Sequence, residues 1–210
     1  RMDVLQRIAN INISALKEKV SDRIEQESDP MVRGQALRTY ATLSSSDTMI
    51  KLKPYLAATD QELRKGALVG LLTYDHRDEK TIETLLNCVS SHDSRERIFA
   101  ADVIGEVGNG YFSDFLVDLL EDTDLQVVER AILAAGNLSD SRLVDILVNK
   151  FSVPSLSRMT SLSLRQFGEA ALHELDIGLG STEASRQEKL HMIETIREIG
   201  GEQSINTLLQ

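Results

Sequence analysis

The sequence predicts an all-α protein, an α-α superhelix in the form of a right-handed solenoid of about six helical hairpins. Three observations lead there. Asp29, Asp60, Asp93 and Asp124 recur at spacings of 31, 33 and 31 residues, and each stands seven residues before an alanine: Ala36, Ala67, Ala100 or Ala131. Apolar residues recur at intervals of three and four between them, the period of a helix. Aromatics are 4% of the chain, with no Trp and 3 Pro, so the aromatic strands of a barrel or sandwich are disfavoured.

Each acidic start predicts an N-cap, because a short carboxylate accepts hydrogen bonds from the first turn and offsets the positive end of the helix dipole. The helix after Asp29 carries Val32, Ala36, Leu37, Tyr40 and Leu43 on one stripe, and the helix after Asp60 carries Leu63, Ala67, Leu68 and Leu71. Weaker copies start near Pro154, with Ser161 and Leu162 as the small and apolar pair, and near Ser185. Other amphipathic segments alternate with these. They contain Met49, Ile50, Leu52 and Leu56; Ile82, Leu85, Leu86 and Val89; Phe112, Phe115, Leu116, Leu119 and Leu120; and Leu143, Ile146, Leu147 and Phe151. These are the first helices of the hairpins, each expected to run about 11 to 14 residues. Short polar links such as Ser139-Asp140-Ser141 make consecutive helices antiparallel neighbours.

A two-helix hairpin cannot bury its apolar faces alone, so stacking of hairpins into one core is required. The repeats are expected at about 13-44, 45-75, 76-108, 109-139, 140-168 and 169-200, with 201-210 opening another, as a single solenoid over 1-210. Arg precedes the first Met, and the sequence stops at Ile205 to Gln210, within what reads as an amphipathic helix, so an excised piece of a longer chain is expected.

The formal net charge is −10, from 33 acidic and 23 basic residues, which repels a phosphate backbone and argues against nucleic acid. The one cysteine, Cys88, cannot pair within the chain and sits on a predicted core face, where it acts as a small hydrophobe; a reducing, cytoplasmic setting fits. No run of 18 apolar residues is present, so direct membrane insertion is not expected of this segment.

Units of about 30 residues, with an Asp between the helices and an Arg four residues on, resemble the HEAT repeat family over about residues 13 to 210. Asp29 with Arg33, Asp60 with Arg64, Asp93 with Arg97, and Pro154 with Arg158 carry the likeness, whereas Asp124 is followed by Val128. The resemblance implies a ladder of Asp–Arg hydrogen bonds between adjacent repeats. HEAT arrays serve as scaffolds, adaptors, lyases and regulatory modules. The stretches Ala100 to Glu106 and Phe167 to Leu172 look like HEAT segments on the soluble side of bacterial nucleotide-transporter-like membrane proteins.

Chemistry is sparsely signalled. His76, His92, His173 and His191 are far apart in sequence, none paired at helical spacing, so neither a metal nor a cofactor is expected. His173-Glu174 resembles a step of the HEAT-type iron hydroxylases, but that family repeats the step. Asp75-His76-Arg77-Asp78 falls between helices and reads as a turn, and Gly105 to Gly110 reads as a helix C-cap without the Lys of a phosphate loop. No catalytic residue is assigned.

In a HEAT stack the second helices line the concave side. Their outward positions here are Arg38, Lys65, Val69, Ile98, Asp102, Glu129 and Leu133, with Val69, Ile98 and Leu133 as the apolar members. The expected function is a non-catalytic interaction or scaffold module that binds a protein partner or another domain of its own chain. The alternatives are a regulatory domain on a membrane nucleotide-transporter-like protein and a HEAT-like lyase or hydroxylase.

Overall fold

The computed structural model describes residues 1–11, 14–43 and 47–209. These residues are helical, with no strand among them. They fall into two compact units, Arg1–Ser90 and Ser91–Gln210.

The first unit contains α1 (Met2–Ile11), α2 (Lys17–Gln26), α3 (Pro30–Thr42), α4 (Thr48–Leu52), α5 (Gln61–Tyr74) and α6 (Glu79–Val89). Asp29 caps α3 by accepting from the Met31 N–H at 2.9 Å, and Pro30 suits the first turn because its missing donor is not needed there. Asp60 caps α5 through the N–H groups of Glu62 and Leu63. The apolar stripes of α3 and α5 then meet: Ala36, Leu37, Ala67, Leu68 and Leu71 are all fully buried. The two helices cross at a glycine pair, where a Cβ on Gly66 would lie 2.4 Å from the Gly34 carbonyl oxygen. Only hydrogen side chains permit that approach.

The second unit contains α7 (Ser94–Val107), α8 (Ser113–Leu120), α9 (Leu125–Leu138), α10 (Val144–Asn149), α11 (Ser157–Phe167), α12 (Leu172–Gly180), α13 (Arg186–Ile199) and α14 (Gly201–Leu208). The helices α7, α9, α11 and α13 pack side by side in that order, and α8 packs on α9, α10 on α11 and α12 on α13. Asp93, Asp124 and Ser185 cap α7, α9 and α13. Gly108 ends α7 in the left-handed region at φ 61°, as expected from the Gly105 to Gly110 stretch.

Two expectations about these elements are corrected. Of the first helices, α6 has the expected length with 11 residues, whereas α4 has 5, α8 has 8 and α10 has 6, and α4 and α10 are each continued by a 3₁₀ turn. In α4 the cause is Pro54, which supplies no N–H to the preceding turn. The fifth copy is also displaced by two residues. Leu162 is exposed, whereas Ser163 and Leu164 are buried, because α11 starts at Ser157 after a 3₁₀ turn over Pro154–Leu156. Ser163-Leu164 thus stands 32 residues after Ala131-Ile132, and the buried Thr195-Ile196 stands 32 residues after that. A hydroxyl residue fills the small position where a neighbouring carbonyl accepts its hydrogen bond: Ser163 Oγ donates to the Ile132 oxygen of α9 at 2.7 Å.

Candidate functional site

The expected outward positions divide between the two units. In the first, Arg38 and Lys65 are half-buried, and Arg38 donates to Gln35 Oε1 at 3.4 Å. Val69, expected at the surface, is 6% exposed and belongs to the packing of α5. Every residue from Gly66 to Leu72 is buried, so α5 is covered all round rather than along a single stripe, and the outward reading is corrected there. In the second unit Ile98, Asp102, Glu129 and Leu133 are half-buried on α7 and α9.

Asp102 is bridged to α9 by Arg130, whose Nε and Nη2 lie 2.8 and 2.6 Å from Asp102 Oδ1. Farther along the pair, Asn137 Nδ2 donates to the Gly105 carbonyl at 3.3 Å. Polar side chains therefore tie α7 to α9, and Ile98 and Leu133 flank these ties on the same pair of helices.

The aspartate caps accept from their own helices: Asp29, Asp60, Asp93 and Asp124 each receive a first-turn N–H. The arginines differ. Arg33 Nε donates to the Ile24 carbonyl at 2.9 Å, which ties α3 to α2. Arg97 makes a two-pronged contact with Asp122, at 2.5 and 2.9 Å, and so reaches the turn before α9 two residues ahead of the cap Asp124. Arg64 is half-buried on α5, and Arg158 is exposed on α11.

Repeat register brings other residues forward. With Ser163 at the small position, Ser161 and Arg165 are the counterparts on α11 of Glu129 and Leu133 on α9. They border a cleft of about 370 Å³ between α11 and α13. Arg165 Nη1 reaches Glu198 at 3.4 Å, Ser161 Oγ lies 2.8 Å from Thr195 Oγ1, and His191 stacks on Phe151 with ring centroids 6.1 Å apart. Sequence reasoning named Ser161, Arg158 and His191 in other roles and missed Arg165, Glu194 and Glu198. The signal was available, since Arg158, Ser161 and Arg165 share one helical stripe.

Other sequence candidates resolve as structure. Asp78 caps α6 through the Thr81 N–H and pairs with Lys53 at 3.0 Å. Burial pushes its carboxyl up, but the Thr81 hydroxyl and the Lys53 ammonium outweigh burial and hold it below the usual carboxylate range. Asp75 accepts from the Arg77 N–H, which completes a turn. Cys88 is buried. His92 and His173 are exposed. Among the described residues no three His, Cys, Asp or Glu side chains converge in a metal-binding arrangement, and no helix is long and apolar enough to cross a membrane.

The fold is similar to that of the complex of CpcE and CpcF of phycocyanin lyase from Nostoc. The TM-score is 0.50 and 17% of residues are identical, over 99% of this chain and 86% of that one. An engineered protein matches with a TM-score of 0.45 and 18% identity, over 86% of this chain and 96% of that one. No family model and no curated protein matches the sequence.

Proposed function

We propose that this chain is a non-catalytic interaction module, a right-handed solenoid of about six HEAT-like hairpins whose second helices form a concave binding face. The observation that carries this reading is the α7–α9 surface. Ile98 and Leu133 remain half-exposed there beside the Asp102–Arg130 bridge, which holds the two helices in register. A surface with apolar anchors set among fixed polar groups is the usual composition of a protein-binding patch. The partner is a protein or another domain of the same polypeptide.

The test is capture of a partner by the chain and by Ile98→Glu and Leu133→Glu, with helicity checked by circular dichroism. Loss of the same partner in both variants, at wild-type helicity, supports the reading. Retention in both removes the α7–α9 face from consideration. Val69→Glu is unsuitable here because Val69 is buried.

The fold likeness to the phycocyanin lyase complex supports a second reading, a lyase. Mass spectrometry of the captured protein separates the two: an interaction partner returns with its mass unchanged, and a lyase substrate does not.

A further inference from the structure

We infer that the cleft between α11 and α13 is an oxyanion site that takes a phosphomonoester group. The inference goes beyond the interaction reading and rests on different residues. Arg158 and Arg165 are seven residues apart on α11, two turns or about 10 Å along the axis, with Ser161 between them on the same stripe. An anion seated over Ser161 is within reach of both guanidiniums.

Both cations are available. Arg158 is exposed, and Arg165 has only a long 3.4 Å contact with Glu198, in which both side chains are more than 40% exposed. An exposed pair of this kind is weak and exchanges readily for a better acceptor. At the edge of the cleft Ser157 is 2% exposed, and its hydroxyl lacks a hydrogen-bond partner among the described residues. A buried hydroxyl without a partner is costly to keep, and a bound anion would supply the missing acceptor.

The opposite wall defines the ligand further. Glu194 and Glu198 on α13 face the cleft, with His191 of the same helix 3.9 Å from Glu194. A carboxylate has two oxygens, too few to engage both arginine forks and the Ser157 hydroxyl at once. A phosphomonoester carries nearly two charges and three free oxygens, enough to engage two arginine forks and a hydroxyl together. At about 370 Å³ the cleft has room for a phosphate together with part of a molecule that carries it.

The experiment is an amide NMR titration of the chain at constant ionic strength, with inorganic phosphate, a phosphoserine tripeptide and the unphosphorylated tripeptide as probes. Saturable shifts centred on Ser157, Ser161 and His191 are expected with both phosphates and not with the third probe. Arg158→Gln and Arg165→Gln should each weaken binding roughly three-fold or more, the scale of one exposed ion pair. Glu198→Gln should tighten it, by freeing Arg165 and removing a like charge. Tighter binding of the tripeptide than of inorganic phosphate assigns the source to a phosphorylated side chain, and equal binding assigns it to the free anion. Absence of saturable shifts, or shifts unchanged in both arginine variants, overturns the site. Neither outcome depends on Ile98 or Leu133.

Discussion

Arg97 holds Asp122 with Nε and Nη2 while its Nη1 donates to the Ser91 carbonyl at 2.8 Å, so one side chain joins the start of α7 to the turn that precedes α9. Asp122 in turn accepts the Asp124 N–H at 2.8 Å. The cap of α9 and the arginine of α7 thus meet through a residue between them. The Arg97 guanidinium beside Asp122 holds that carboxyl below the usual range.

Asp122→Ala should therefore cost more than Asp124→Ala. The first takes the carboxylate from a largely buried guanidinium and leaves it only the Ser91 carbonyl, at about 2–3 kcal/mol, and the second removes one cap, at about 1 kcal/mol. Urea midpoints of the two variants give the comparison, and equal losses would deny Asp122 its bridging role.

Asp140 gives a pH signature. Its carboxyl accepts from Arg142 Nη2 at 2.7 Å and from Ser113 Oγ at 2.6 Å, and these contacts hold it at about 2. Because the folded value lies below the unfolded value of about 3.9, the contribution is complete above about pH 4 and disappears as the pH falls through about 2. Wild type should melt above Asp140→Asn at neutral pH, and the two melting temperatures should converge toward pH 2. A gap independent of pH would show that the asparagine variant loses something other than charge.

The α3–α5 crossing makes a steric prediction. Gly66→Ala puts a methyl group into the Gly34 backbone, which no side-chain rotation relieves, and about 3 kcal/mol of stability should be lost. Gly180→Ala, at the end of α12 with open space around it, should be neutral or stabilise by up to about 1 kcal/mol. Thermal melts of both variants test the contrast.

The register of α11 is open to a similar comparison. Leu164→Ala removes a fully buried side chain and should cost about 2–5 kcal/mol, whereas Leu162→Ala, at 40% exposure, should cost under about 1 kcal/mol. A reversed order would restore Ser161-Leu162 as the core pair.

The sequence by itself determined the helical class and the second helices that begin at Asp29, Asp60, Asp93 and Asp124, with their caps. Asp29, Asp60, Asp93 and Asp124 act within one turn of chain, and the stripe through Ala36, Ala67, Ala100 and Ala131 has the helical period, so neither needs a distant partner to be recognised. The tertiary structure alone decided what faces what. Gly34 and Gly66 look like ordinary helix-weakening glycines until two backbones meet. Ser163 and Thr195 break the alanine pattern because a hydroxyl can be buried once a carbonyl accepts its hydrogen bond. Val69 has the sequence periodicity of an outward residue and is covered because α5 packs on more than one flank. Arg97 finds Asp122 rather than a cap, and Arg158, Ser161 and Arg165 border a cleft only when α13 lies against α11. Local hydrogen bonding and periodicity are written in consecutive residues, whereas burial and pairing depend on elements some thirty residues away, whose approach is set by the side chains between them.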